Sequence, residues 1–278
     1  MLKFKTEKVT NRVTRIYAFA GELMYLVEGD EKAALLDTGS GFGSLKACVS
    51  ELTDKPVIVL ITHGHIDHAM GAIEFDEVYM SHKDEYIYRE HADENLRFGG
   101  LDLEEMAKGT EFEKETDLIK SAPFELFRDL KDGDRFDLGG VHIAVYECAG
   151  HTKGTVVMLL EEERSLLTGD ACNYHTFMFD TYSTSITQYE ESLKELLEKV
   201  RGKYDTVYIS HGDGKAHKEL LKDVIDVCED IKNGNTDDVP FTFMDKTAFF
   251  AKEQDESGIR KDGKRGNIIY SKDRIFEG

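Results

Sequence analysis

The pattern of apolar and polar residues in the first third of the chain predicts strands that alternate with helices. Three short apolar runs separated by turns, "RIYAFA", "LMYLVEGD" and "KAALLDTG", predict successive strands. The next segment, "GSLKACVSELTDK", has helical spacing, because Leu45, Val49 and Leu52 fall on one side. The continuous apolar run of "PVIVLITH" is typical of a strand covered on both faces, and "FDEVYMS" predicts a further strand. This alternation indicates the α/β class.

The second half of the chain repeats the strand pattern and adds two long helices. Strands are predicted in "RFDLGGVHIAVYECAGH", "GTVVMLLEEERSLLTGD", "YDTVYISH" and "GNIIYS". The helix in "TQYEESLKELLEKV" is predicted to open with a capping box formed by Thr187 and Glu190. The helix in "KELLKDVIDVCEDIKNG" is predicted to end at Asn233-Gly234. Between that helix and the last strand, "VPFTFMDKTAFFAK" is interpreted as an aromatic-rich loop.

Residues 82–126 differ from their surroundings. They are charged and contain helical stretches, "DEYIYREH" and "GLDLEEMAKG", with few strand candidates. We interpret them as a helical cap or insertion. Because the chain has neither tandem repeats nor a low-complexity linker, a single domain over residues 1–278 with this insertion is expected.

Composition narrows the class of protein. The 278 residues are 40% hydrophobic, which is typical of a globular chain, and no apolar run approaches the ~20 residues of a membrane span. The start has no apolar core of the length of a secretory signal, so a cytoplasmic protein is expected. Four scattered cysteines without a C-x-x-C pair are expected to be reduced and mostly packed. The formal charge of −20 disfavours nucleic acid as a partner, and nothing in the composition indicates an oligomeric state.

Metal-ligand residue types recur just after strand-like runs. The stretch "THGHIDH" alone supplies His63, His65, Asp67 and His68. In an α/β sheet, loops at strand ends aim side chains at a common point, and metal binding needs such convergence. Imidazole and carboxylate without thiolate suit zinc, iron or manganese in a hydrolytic site. Three more candidates follow later strands. Seven ligands are too many for one tetrahedral ion but fit two, and they are His63, His65, Asp67, His68, His151, Asp170 and His211.

These motifs together resemble the metallo-β-lactamase-fold superfamily of hydrolases. His-x-His-x-Asp-His is followed in order by "GHTKG", "LLTGD" and "SHGDG", with "LLDTG" upstream, and the resemblance runs from about residue 15 to about 225. The "GHTxG" segment, and Asp170 in place of a cysteine, are more similar to the glyoxalase II and lactonase branches. The resemblance implies a four-layer αβ/βα sandwich with two mixed β-sheets flanked by helices.

The same resemblance implies a role for each candidate residue. It assigns His63, His65 and His151 to one divalent ion, and Asp67, His68 and His211 to the other, with Asp170 bridging both. Asp37 of "LLDTG" matches a supporting aspartate that is not a ligand. Zinc is the expected metal, with iron or manganese as alternatives. The implied reaction is hydrolysis of a small ester, thioester or lactone by a metal-bridging hydroxide that Asp67 or Asp170 orients.

Several alternatives stay open at this point. Tyr174 and Tyr182 are candidate substrate contacts, although packing or surface exposure is the simpler explanation for either in a chain with twelve tyrosines. The phenylalanines at 241–250 fit either a substrate pocket or a packed core. Hydrolysis of small phosphoesters is the alternative reaction. A di-iron redox protein is less consistent with His65, where that family has a carboxylate, and a non-catalytic metal-binding protein is expected to have lost ligands.

Overall fold

The chain divides into two compact units. A computed structural model describes residues 3–99, 117–243 and 246–276. The first unit comprises Met1–Ala144 and the second Val145–Gly278. The expectation of a single domain over the whole chain stays a prediction. Among the described residues, none of the helices combines the length and the apolar character needed to cross a membrane.

The first unit is built on a mixed seven-stranded sheet whose strands lie in chain order. The first four strands pair antiparallel, and the last three join them in parallel. The elements are β1 (Lys5–Lys8), β2 (Val13–Tyr17), β3 (Leu23–Glu28), β4 (Ala33–Leu36), α1 (Leu45–Leu52), β5 (Val57–Leu60), β6 (Val78–Met80), α2 (Glu85–His91), α3 (Glu94–Gly99) and β7 (Phe127–Asp129). A hairpin of β8 (Arg135–Asp137) and β9 (His142–Glu147) follows, and β9 runs across the boundary between the units.

The core of this unit explains why its parallel strands are continuous apolar runs. Leu35, Val59 and Val78 lie on neighbouring strands and are fully buried in one apolar cluster. Every residue of β4 is buried, and so are the last three of β5. Burial on both faces is the condition that such runs indicate, so the prediction from "PVIVLITH" is confirmed.

The second unit contains two sets of strands and two amphipathic helices. One set comprises β10 (Val156–Leu160), antiparallel to β11 (Ser165–Gly169), which is parallel to β13 (Thr206–Ile209). The other is a four-stranded sheet in the order β12 (Thr176–Met178), β16 (Ile268–Tyr270), β15 (Lys246–Phe250) and β14 (Val239–Phe243). The helices are α4 (Ile186–Val200) and α5 (Leu220–Lys232), and α5 ends at Asn233 as predicted.

Two local predictions in the second unit are wrong. The capping box of α4 is formed by Ser185 and Gln188, and Thr187, the predicted cap, already lies inside the helix. The segment "VPFTFMDKTAFFAK" is a β-hairpin rather than a loop, with Phe241 of β14 opposite Ala248 of β15. Pro240 obscured the strand pattern, but β14 is an edge strand, where a proline is tolerated because its missing N–H is not needed.

The remaining fold predictions agree with the structure where it can be compared. Mixed sheets with few helices confirm the α/β class, and the four-stranded sheet is an addition to the two sheets predicted. Within the predicted insertion, "DEYIYREH" contains α2, whereas "GLDLEEMAKG" lies outside the described residues. All four cysteines are free thiols, as expected.

Candidate functional site

The loop after β5 gathers four ligand-type side chains in the first unit. His63 Nε2 lies 3.1 Å from His65 Nδ1, and His68 Nε2 lies 3.4 Å from a carboxylate oxygen of Asp67. The rings of His63 and His68 have centroids 4.1 Å apart. His63 and His68 are fully buried, whereas His65 and Asp67 are half-buried. The structure therefore brings these four predicted residues together.

Asp37 holds this loop through its carboxylate. One oxygen accepts the backbone N–H of Thr62 at 2.7 Å, and the other accepts from His68 Nδ1 at 2.8 Å. Because a carboxylate only accepts, Nδ1 of His68 carries the proton and Nε2 is left to face a cation. Asp37 has a φ of 65°, in the left-handed region that aspartate and asparagine tolerate better than most residues. This arrangement is the one expected of a supporting aspartate.

The electrostatics of the loop favour a positive charge beside His68. Burial alone lowers the pKa of the imidazole, but the carboxylates of Asp67 and Asp37 outweigh burial and raise that pKa well above its ordinary value. A buried position that stabilises a proton charge between two carboxylates also suits a metal cation.

Two further residues in the first unit support the loop and were not predicted. Asp84 accepts the backbone N–H of Gly64 at 2.9 Å, and Nδ1 of His91 accepts the N–H of Ile66 at 3.1 Å. The ring of His91 also lies 5.1 Å from that of His65. Asp84 precedes α2 and His91 is its last residue, and because they are seven residues apart they share one face of that helical stretch. Their sequence signal is that they are polar residues on an otherwise apolar face of the helix.

The loop after Asp37 is held by hydrogen bonds with two buried charged side chains, Glu22 and Arg97. Glu22 accepts from the backbone N–H of Ser40 at 2.8 Å and from its hydroxyl at 2.6 Å. Burial, together with the charge of Asp67, raises the pKa of Glu22. Arg97 donates to the carbonyl of Ser40 at 2.8 Å, and an added Cβ on Gly41 would lie 2.4 Å from its guanidinium. Gly41 has a φ of 75°, and an added Cβ would also lie 2.8 Å from the carbonyl oxygen of Met70, so the backbone requires glycine here.

The second unit brings the other three predicted ligands together around one carboxylate oxygen. Asp170 directly follows β11, and His211 follows β13, the parallel neighbour of β11. His211 Nε2 lies 3.2 Å from Oδ2 of Asp170, and His151 Nε2 lies 3.7 Å from the same oxygen. His151 and Asp170 are buried, whereas the His211 side chain is 38% exposed.

A backbone carbonyl orients His151. Nδ1 of His151 lies 2.7 Å from the carbonyl oxygen of Phe177 in β12. A carbonyl only accepts, so Nδ1 donates and Nε2 keeps its lone pair on the side of Asp170. The backbone of β12 thus fixes the proton of His151 on Nδ1, as the carboxylate of Asp37 fixes the proton of His68 on Nδ1.

Tyr189 of α4 holds the His151 and Asp170 loops at a fixed spacing. Its hydroxyl donates to the carbonyl of Ala171 at 2.6 Å, and an added Cβ on Gly150 would lie 2.1 Å from its ring. Ser183 donates to the carbonyl of His151 at 3.0 Å. Glycine before His151 in "GHTKG" is therefore needed for packing against Tyr189, which sequence reasoning did not single out.

The candidate substrate contacts have other partners. The hydroxyl of Tyr174 donates to the carbonyl of Lys215 at a long 3.4 Å, and its ring packs under Arg265 at 4.4 Å. Tyr182 is buried. Their roles as substrate contacts stay predictions. Cys172 is buried, and burial raises the pKa of its thiol well above the ordinary value. The candidate metal ligands are therefore imidazoles and carboxylates.

The spacing of donor atoms within each unit fits a divalent metal. Ligands that bind zinc at about 2.0–2.1 Å in a tetrahedron lie about 3.3 Å from one another. The separations of 3.1 and 3.4 Å in the first unit, and of 3.2 and 3.7 Å in the second, bracket that value. Each His/Asp cluster can therefore contribute ligands to a metal ion.

Comparison with known proteins gives the family. The sequence model of the metallo-beta-lactamase superfamily matches residues 19–211. The acyl-coenzyme A thioesterase MBLAC2 of Bos taurus is 26% identical over 219 residues, which cover 68% of this chain and 72% of that protein. The hydroxyacylglutathione hydrolase GloC of Haemophilus influenzae is 22% identical over 56% of this chain and 68% of its own. A solved metallo-beta-lactamase from Pontibacter korlensis shares the fold, with a TM-score of 0.60 at 18% identity over 81% of this chain and 98% of that one. The chain therefore belongs to the metallo-beta-lactamase superfamily and is a hydrolase.

Proposed function

We propose that the protein is a two-metal hydrolase of acyl thioesters, in which both ligand clusters bind the same pair of divalent ions. The observation that carries this proposal is the extent of the family match, which spans residues 19–211 and so includes all seven candidate ligands. The names of the two relatives support the substrate class, since one is an acyl-coenzyme A thioesterase and the other a hydroxyacylglutathione hydrolase.

The proposed ligand assignment follows the motif order. His63, His65 and His151 would hold one ion, and Asp170 would contact both ions. The second ion would be held by Asp67, His68 and His211. Zinc is the metal we favour, with iron and manganese as alternatives, because the donors are imidazole and carboxylate.

The chemistry divides between the metals and the chain. Two such ions, when bound, activate water near neutral pH and polarise the substrate carbonyl. The chain orients the ligands, since Asp37 and the Phe177 carbonyl fix the protons of His68 and His151 on Nδ1. Asp67 and Asp170 are the carboxylates that we assign to orient the attacking water, because an ionised carboxylate accepts a water proton through either oxygen.

The proposal is tested by replacing the candidate ligand Asp170 and, as a control, an aspartate on the surface of the same unit. Asp170→Ala should lose metal and bring hydrolysis of acetyl-coenzyme A to background. Asp205→Ala is the control, because Asp205 lies on the surface of the same unit in ion pairs with Arg164 and Lys218, and exposed pairs of this kind contribute little to stability. Metal content by elemental analysis and the rate of thiol release are the measurements. An Asp170→Ala protein with full metal content and full activity would contradict the assignment.

A further inference from the structure

One face of the four-stranded sheet in the second unit is made of phenylalanine. Phe177 of β12 lies opposite Ile269 of β16, which lies opposite Phe250 of β15. On the edge strand β14, Phe241 and Phe243 are two residues apart, so they point to the same side, and Phe241 lies opposite Ala248. Directly paired residues share a face. We call this surface the phenylalanine face, and its rings are Phe177, Phe179, Phe241, Phe243 and Phe250.

The phenylalanine face is packed at its base and open at its edge. Phe179, Ala248 and Ile269 are the buried part of the face and form a small apolar cluster. The rings of Phe177 and Phe243 have centroids 5.6 Å apart, yet Phe243 is 41% exposed. An exposed phenylalanine continuous with a packed aromatic cluster is typical of a surface that binds apolar ligands.

The face begins at a residue that also orients a candidate metal ligand. The carbonyl of Phe177 accepts the proton of His151 Nδ1 at 2.7 Å, while the ring of Phe177 contacts Phe241 and Phe243. Apolar surface is therefore continuous with the candidate catalytic residues of the second unit. The rings of the outer strands β12 and β14 meet over the face, since Phe177 lies 5.7 Å from Phe241 and 5.6 Å from Phe243 between ring centroids.

Charge on this face is balanced. Lys246 lies opposite Phe243 on the same face, and its ammonium group lies 2.6 Å from the carboxylate of Asp180. Because phenylalanine offers no hydrogen bond, the face favours methylene groups over polar substituents.

We infer that the phenylalanine face binds the acyl chain of the substrate, so that the enzyme prefers thioesters of medium to long apolar acyl groups over short or polar ones. This inference rests on the proposed thioesterase function. The acyl carbonyl would lie on the side of His151 and Asp170, and the chain would lie against the rings of the phenylalanine face.

The test is a chain-length series measured on acetyl-, hexanoyl- and decanoyl-coenzyme A. For the unmodified protein, kcat/KM should rise up to about fourfold for each added methylene that the face covers. Phe243→Ser should lower kcat/KM for the decanoyl substrate roughly 15-fold, the equivalent of two buried methylenes. The ratio of decanoyl to acetyl kcat/KM should therefore fall, while the metal content should stay unchanged, because the substitution leaves the Phe177 carbonyl in place at His151 Nδ1.

Phe276→Ser is the matched control. Phe276 belongs to the same unit, is 61% exposed and lies outside the phenylalanine face, so its loss should leave the chain-length profile unchanged. An unmodified protein that hydrolyses acetyl-coenzyme A with no gain for longer chains would overturn this inference and leave the proposed function standing. A Phe243→Ser profile identical to that of Phe276→Ser would also overturn it. An unmodified, metal-loaded protein that hydrolyses no thioester would overturn the proposed function itself. The unmodified protein's profile decides the matter even if a variant does not fold.

Discussion

The two ligand clusters are built in contrasting ways. The first lies within six consecutive residues, and side chains from elsewhere hold it, namely Asp37, Asp84 and His91. The second is drawn from three strand ends, at His151, Asp170 and His211. There the orienting group for His151 is the backbone carbonyl of Phe177. A ligand ring oriented by a side chain, as His68 is, can lose that partner in a single substitution, whereas the carbonyl that orients His151 remains when the Phe177 side chain is changed.

The largest expected difference concerns the groups that orient His68 and His151. Asp37→Asn should weaken metal binding about 10- to 100-fold, because the amide removes a charged acceptor from His68. Asparagine tolerates the left-handed backbone at this position, so strain does not confound the result. Competition with a chromophoric chelator measures the affinity.

The matched variant in the second unit is Phe177→Leu. It keeps the carbonyl that accepts from His151, so metal affinity should stay close to that of the unmodified protein. An equal loss of affinity in both variants would show that the contrast between side-chain and backbone support is wrong.

A smaller effect is expected at His91. His91→Ala should lower the free energy of unfolding by about 1 kcal/mol or more, because the partly buried N–H of Ile66 loses its acceptor. His91→Gln should recover part of that loss, since its carbonyl oxygen can accept the same bond. Urea denaturation of the metal-free proteins gives both values. Unchanged stability in His91→Ala would remove His91 from the support of the loop.

The contrast between the clusters also explains what the sequence could predict. The first cluster was evident because its ligands are adjacent in the chain and follow an apolar strand. The residues of the second were each ordinary alone and gained meaning only from the order of the family motifs. Asp84 and His91 share a helix face with apolar residues, but that pattern does not say which backbone N–H groups they bind, and these bonds to Gly64 and Ile66 make them part of the site.

The start of helix α4 could not be predicted to the residue, because two local sequence patterns fit a helix start equally well. Ser185 with Gln188 and Thr187 with Glu190 both fit a capping box. The structure uses the first pair, while the N–H and hydroxyl of Thr187 both bond to the carbonyl of Ile275, 88 residues further along the chain. A tertiary contact of this kind accompanies the actual start of the helix and could not be predicted from the local sequence.

The most direct test of the central claim is whether the two clusters share an ion. Asp67 and His211 come from different clusters but are assigned to the same metal, so Asp67→Ala, His211→Ala and the double variant should each retain about one of two equivalents of zinc. Such non-additivity is expected when two residues act on one site. Zinc bound per protein, measured after dialysis, gives the answer. A double variant that loses clearly more zinc than either single variant would mean that the clusters bind separate ions, and would contradict the account.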